Sequence, residues 1–96
     1  MAGYVIAEIE VIDAAGYEEY RKLAASAVAA CGGRFLVRGG NVEALEGEWR
    51  PKRLVVLEFP SVEDAKAWWA SEAYRAARDI RARTARTKMI VAEGVA

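Results

Sequence analysis

The sequence predicts one α+β domain in which two helices cover one face of a four-stranded antiparallel sheet. Runs rich in β-branched and aromatic residues alternate with longer stretches of helix-forming residues, in the order β-α-β-β-α-β. The chain has 96 residues, and single domains commonly hold about 100 to 150 residues. We therefore treat residues 1–96 as a single domain.

The first strand and the first helix occupy the N-terminal third of the chain. Residues 4–12 are mostly apolar, and Glu8 and Glu10 fall on one face because side chains alternate along a strand. This pattern is typical of a central strand that is covered on both faces. A helix is predicted from Ala14 to Cys31, with Asp13 as its N-cap and a glycine pair as its stop.

A short strand and a long loop follow this helix. The segment from Arg34 to Arg38 is too short for a helix, and its alternation predicts that Arg34, Leu36 and Arg38 share one face of a strand. The loop over residues 42–52 contains Trp49. Loops of this length are usually functional or pack against another surface, so Trp49 is expected to be a lid or a partner contact.

The C-terminal half adds a strand, an interrupted helix and a last strand. Residues 53–59 form the third strand, and the alternation places Glu58 opposite the odd-numbered positions. Ser61 is an N-cap for the next helix, and Ser71 resembles a second N-cap, so the helix is expected to break there and restart. Residues 87–92 form the fourth strand.

This order of elements predicts a ferredoxin-like fold. Right-handed crossovers place the four strands in one antiparallel sheet and both helices on one face. The other face has no cover within the chain, although it carries Tyr4, Ile6 and Ile12. We therefore predict a homodimer in which the uncovered faces of two sheets meet across a two-fold axis.

The composition argues against several classes of function. Fourteen Lys and Arg residues balance 14 Asp and Glu residues, so we expect no nucleic-acid partner and no membrane partner. The chain has no histidine and one cysteine, Cys31, and it lacks a flavin motif, so we expect no metal and no cofactor. Without an apolar run of about 18 residues or a signal peptide, a cytoplasmic location is expected.

Four segments of the chain are similar to one known family. They are GGRFLVRGG at residues 32–40, EGEW followed by RPKR in the long loop, LEF before a proline, and WW followed by SEAY and a later arginine. From Tyr4 to Gly94 the chain resembles the family called domain of unknown function 1330, of the dimeric α/β-barrel superfamily, which also contains small monooxygenases and muconolactone-isomerase-like proteins. The resemblance implies a homodimer whose sheets form a barrel, and it supplies no assigned activity.

Six residues are candidates for a functional site. Glu58 is the candidate catalytic residue that moves a proton, and the candidate substrate-binding residues are Arg38, Trp49, Arg53, Tyr74 and Arg81. All six match positions of the family pattern. A charge on an apolar strand is costly unless it is paired, so Arg38 and Glu58 belong either to a ligand pocket or to a structural ion-pair network.

Two functions remain open at the level of sequence. The first is binding of a small anionic or aromatic metabolite, with activity as a cofactor-free monooxygenase or isomerase. The second is a non-catalytic homodimeric structural or interaction module, whose charges serve only the dimer. The residues alone do not decide whether the protein is an enzyme.

Overall fold

The structure is a computed structural model that describes residues 1–95. Over these residues it contains the strands β1 (Gly3–Val11), β2 (Arg34–Arg38), β3 (Leu54–Phe59) and β4 (Ala85–Glu93), and the helices α1 (Ala14–Ala30), α2 (Val62–Ala70) and α3 (Glu72–Thr84). The predicted order of elements is confirmed, with the second helix divided into α2 and α3. No helix in the described part of the chain is both long and apolar enough to cross a membrane.

The four strands form one antiparallel sheet in the order β2-β3-β1-β4. On β1, the odd-numbered residues Val5, Ala7 and Ile9 are buried and join the core formed with the helices. The even-numbered residues point to the opposite face, which we call the open face because no helix covers it. The predicted ferredoxin-like α+β fold is therefore confirmed, and β1 is a central strand.

Ser71 divides the second helical segment as the sequence predicts. Its hydroxyl donates to the carbonyl of Trp68 at 2.7 Å and accepts the backbone N–H of Tyr74 at 3.1 Å, so one side chain ends α2 and begins α3. This break brings the rings of Trp68 and Tyr74 to 4.2 Å between centroids. Phe59 contacts the other side of this pair, 5.3 Å from Trp68, and the three rings are fully buried.

A β-bulge in β2 overturns one prediction from the sequence. Arg34 lies opposite Glu58 of β3, whereas Arg38 lies opposite Val55, and the register shifts between Phe35 and Val37. A bulge inserts one extra residue, so the side chains after it point to the face opposite the one that simple alternation predicts. The prediction that Arg34 and Arg38 share a face was wrong: Arg34 lies on the open face and Arg38 on the helix-covered face.

Candidate functional site

A small cavity lies between α1 and the helix-covered face of the sheet. Its volume is about 30 Å³, which is room for roughly one or two groups of the size of water. Apolar residues of β1, β3 and α1 form most of its wall. Its polar side chains are those of Tyr17, Tyr20, Arg21, Arg38 and Arg53, and we call it the inner cavity.

Arg38 reaches the mouth of the inner cavity because the bulge turns it away from the open face. Its Nη2 donates to the backbone carbonyl of Arg21 at 3.3 Å, and its Cζ lies 4.2 Å from the centroid of the Phe35 ring. The ring and the carbonyl hold the guanidinium group from two sides. Arg38 is therefore anchored by α1 and β2 while its charge remains without an acidic partner in residues 1–95.

Arg53 is positioned by the turn that follows β2. Gly39 has φ of +74°, and a Cβ atom at this position would lie 2.7 Å from Cζ of Arg53. Glycine is required here for the backbone conformation and for the space that the guanidinium group occupies. Arg53 also lies near Tyr17, with 5.5 Å between Cζ and the centroid of the ring.

The inner cavity carries positive charge without an acidic group in its lining. Among residues 1–95, three arginines line it and no aspartate or glutamate does so. Arg21 pairs with Glu18 at 3.0 Å on the surface of α1. The Nε atoms of Arg21 and Arg53 are buried and have no hydrogen-bond partner within residues 1–95. The cavity is thus suited to an anion that accepts hydrogen bonds.

A buried hydrogen-bond network lies behind the inner cavity. Nη1 of Arg81 donates to the hydroxyl of Tyr74 at 2.8 Å, and the hydroxyls of Tyr74 and Tyr20 are 2.8 Å apart. Burial is the main cause that raises the pKa of Tyr74 above its ordinary value, and it also raises the pKa of Tyr17. Both hydroxyls are therefore protonated at neutral pH. Tyr74 is fully buried, and it fixes the position of Tyr20 in the cavity wall.

Glu58 lies on the open face, on the other side of the sheet from the inner cavity. Its carboxylate accepts from Nε of Arg34 at 2.6 Å and from the hydroxyl of Tyr4 at 3.1 Å. The hydrogen bond from Arg34, followed by that from Tyr4, lowers the pKa of Glu58 below its ordinary value. Glu58 is therefore ionised and paired at neutral pH.

The loop before β3 is tied to the same open face. Nε1 of Trp49 donates to Glu8 at 2.9 Å, and Nζ of Lys52 donates to Glu10 at 2.9 Å. These bonds hold the end of the loop beside β1, while the indole of Trp49 remains 60% exposed. Trp49 thus lies where a second molecule would meet the open face.

The six candidate residues divide between the two faces of the sheet. Arg38 and Arg53 meet in the inner cavity, Tyr74 and Arg81 support it from behind, and Glu58 and Trp49 lie on the open face. Their roles in binding and catalysis stay predictions. The sequence reasoning did not select Tyr17, Tyr20 and Arg21, although their spacing of three and four residues places them on the same helix face as the core residue Ala24.

The fold and the site together define a small ferredoxin-like protein with an arginine-lined cavity between its sheet and a helix. The chain belongs to the family described as Domain of unknown function (DUF1330), whose model matches residues 2–95. A search of curated proteins found no match.

Solved structures with the same fold include proteins with and without a described activity. A protein of unknown function from Rhodopseudomonas palustris has a TM-score of 0.77 and 16% identity, with 99% of this chain and 83% of that chain covered. A cofactor-independent oxygenase from Streptomyces nogalater has a TM-score of 0.59 and 12% identity, with 99% and 93% covered. A dimeric protein of unknown function and ferredoxin-like fold from Bacteroides fragilis has a TM-score of 0.58 and 16% identity, with 97% and 96% covered.

Proposed function

We propose that the protein binds a small anionic metabolite in the inner cavity and acts on it without a cofactor. The observation that carries this proposal is the presence of Arg21, Arg38 and Arg53 around a cavity that no carboxylate of residues 1–95 lines. Arg21 already pairs with Glu18 and Arg38 is exposed, so an anion would stabilise Arg53 most, because Arg53 is partly buried and has no acidic partner within residues 1–95. Guanidinium groups bind carboxylates through charge-assisted hydrogen bonds. The volume of about 30 Å³ is too small for an aromatic ring, so only the anionic end of the ligand enters the cavity.

The reaction that we propose is oxygenation of an enolisable carboxylate. No side chain of residues 1–95 that lines the cavity can accept a proton, so the substrate must be acidic enough to give the proton beside its carbonyl to water. The guanidinium groups and the protonated hydroxyl of Tyr17 then stabilise the enolate. The enolate then reacts directly with O₂, so that a CH₂ group becomes C=O and the second oxygen atom leaves as water. If the same enolate is protonated at a different carbon instead, the reaction is an isomerisation.

The oxygenase from Streptomyces nogalater supports a reaction of this class. It is described as cofactor-independent, and it shares the fold with this chain at 12% identity. At that identity the likeness concerns the fold, so the chemistry is argued here from the arginines and tyrosines of the inner cavity. The proposal needs neither a metal nor a flavin.

We also propose that the protein is a cytoplasmic homodimer in which two open faces meet. The dimeric protein from Bacteroides fragilis supports this arrangement, and so does the exposed apolar surface of Ile90 and Trp49, which are 61% and 60% exposed. Within such a dimer, Glu58 lies inside the barrel. Its predicted role in moving a proton then applies to a ligand between the sheets and not to one in the inner cavity.

Thermal unfolding in the presence of small carboxylates tests the proposed anion site. At a tenfold excess over Kd, binding stabilises the fold by about 1.4 kcal/mol, which is roughly 6 to 11 °C in Tm for a domain of this size. We expect malonate, pyruvate or acetoacetate to give a saturable rise with the wild type and a much smaller rise with Arg38→Gln. Arg34→Gln is the matched control, because Arg34 lies on the open face. If no small acid raises the Tm of the wild type, or if both variants lose the response equally, the proposal is wrong.

The alternative function is a non-catalytic homodimeric module, and the paired charges of the open face favour it. Arg34 with Glu58, and Lys52 with Glu10, form ion pairs at 2.6 Å and 2.9 Å. Both pairs lie within one chain, so they hold the strands and the loop of the open face in a fixed arrangement that a second copy could meet. If this alternative is right, Glu58→Gln weakens the dimer and lowers the sedimentation coefficient at micromolar concentration, and small carboxylates have no effect on Tm.

A further inference from the structure

A second concave site lies at the edge of the sheet, between α2 and β4. Its volume is about 380 Å³, which is within the range of about 300 to 1,000 Å³ that is usual for small-molecule pockets. Lys66 and Trp69 of α2 form one wall, and Thr87 and Met89 of β4 form the other. We call it the edge groove.

The edge groove is distinct from the inner cavity. Arg21, Arg38 and Arg53 do not line it, and its own cations do not line the inner cavity. Trp68 and Met89 take part in both walls, so they form part of the partition between the two spaces. A ligand in the edge groove would therefore contact different cations from those of the inner cavity.

Two polar atoms in the lining of the groove lack a partner. Nε1 of Trp68 and Oγ1 of Thr87 are buried, and neither has a hydrogen-bond partner within residues 1–95. Trp68 as a whole is only 1% exposed. Both atoms are shielded from solvent, so a ligand in the groove would reach them only if the surrounding side chains moved. The case for a ligand therefore depends on the charges and the shape of the groove.

The charges and the shape of the groove define the chemistry of that ligand. Lys66 and Arg81 line it, no carboxylate of the described residues does, and neither cation forms a salt bridge within residues 1–95. Trp69 presents a flat ring, which is held by Arg78 with 4.1 Å between Cζ and the ring centroid. Met89 provides a flexible apolar surface of the kind that packs well against aromatic rings.

We infer that the edge groove binds an aromatic carboxylate. The carboxylate accepts charge-assisted hydrogen bonds from Lys66 and Arg81, while the ring packs between Trp69 and Met89. An aromatic body of this size does not fit the inner cavity, whose volume is about 30 Å³. The sequence predicted an anionic or aromatic ligand without assigning a site to either, and the two sites would bind different ligands: a small anion in the inner cavity and an aromatic carboxylate in the edge groove.

Titration of the full chain with naphthoate tests this inference. Binding is followed by tryptophan fluorescence and calorimetry, with naphthalenemethanol as the uncharged analogue. We expect saturable binding of naphthoate that is about tenfold tighter than binding of the alcohol, since a charge-assisted hydrogen bond contributes that order of affinity. Lys66→Gln should weaken binding by about three- to tenfold, whereas Arg38→Gln should leave it unchanged.

Three results would overturn the inference. The first is the absence of saturable binding at millimolar naphthoate. The second is loss of binding in Arg38→Gln with no change in Lys66→Gln, which would place the ligand in the inner cavity. The third is loss of binding as the protein concentration and the sedimentation coefficient rise together. This result would show that a second copy covers the groove, which is feasible because β4 is an edge strand.

Discussion

The two faces of the sheet differ in whether their charged side chains form ion pairs. On the open face, Arg34 pairs with Glu58, and Lys52 pairs with Glu10. On the helix-covered face, Arg38 and Arg53 line a cavity and have no acidic partner in residues 1–95. An ion pair satisfies its own charges, whereas an unpaired guanidinium group beside a cavity can still bind an anion. This difference makes the inner cavity, and not the open face, the better candidate for anion binding.

The largest expected effect comes from comparing two tyrosine hydroxyls, one on α3 in the core and one on the open face. Tyr74→Phe removes the acceptor of Arg81 and leaves the hydroxyl of Tyr20 without its partner in the core. We expect it to lower the free energy of unfolding by about 1 to 3 kcal/mol. Tyr4→Phe removes one bond to Glu58 on the open face, and Glu58 keeps its bond to Arg34, so a smaller loss is expected. Urea denaturation of both variants measures the two effects, and equal losses would show that the buried hydroxyl network contributes no more than the bond on the open face.

Alanine variants of two glycines with similar backbone conformations distinguish an effect on stability from an effect on ligand binding. Gly39 and Gly47 have φ of +74° and +77°, but an added Cβ would meet Arg53 only at Gly39 and would meet open space at Gly47. Both substitutions to alanine should cost about 1 to 2 kcal/mol, because a side chain is unfavourable in the left-handed region. Only Gly39→Ala displaces the guanidinium group of Arg53.

The thermal response to small carboxylates distinguishes the two alanine variants. We expect Gly47→Ala to keep the rise in Tm that the wild type gives and Gly39→Ala to lose most of it. If both variants respond like the wild type, then Arg53 does not contribute to the anion site. If both lose the response, the left-handed turn and not the position of Arg53 controls binding.

The sequence predicted the elements well where the signals were local. Ser71 was identified as a second N-cap from its neighbours alone, and the structure places it between α2 and α3. The alternation along β1 was also sufficient to predict which residues share a face, since a strand without a bulge keeps its period of two. Both signals depend on residues within one turn or one strand, so neither needs knowledge of the tertiary structure.

The site was less predictable because it depends on one irregular strand. The bulge between Phe35 and Val37 moves Arg38 to the helix-covered face, and no residue in GGRFLVRGG marks its position. Arg38 and Glu58 were consequently considered as members of one charged group, although the sheet separates them. Tyr20 and Arg21 were missed as site residues for a different reason: apolar stripes predict burial, and burial alone does not reveal a cavity.

The pH dependence of stability gives the smallest expected effect and tests the paired face directly. The bonds from Arg34 and Tyr4 lower the pKa of Glu58 from its ordinary value of 4.5. As the pH falls, the carboxylate of Glu58 therefore takes up a proton in the unfolded chain before it does so in the folded chain. The stabilisation that Glu58 gives the fold is complete above pH 4.5 and is lost as the pH falls through the lowered pKa. The difference in unfolding free energy between the wild type and Glu58→Gln should be constant near neutral pH and shrink in acid. Glu46→Gln is the control, because Glu46 is exposed and has no ion pair within residues 1–95. If the difference for Glu58→Gln stays constant from about pH 7 to about pH 3, then Arg34 does not hold Glu58 in solution.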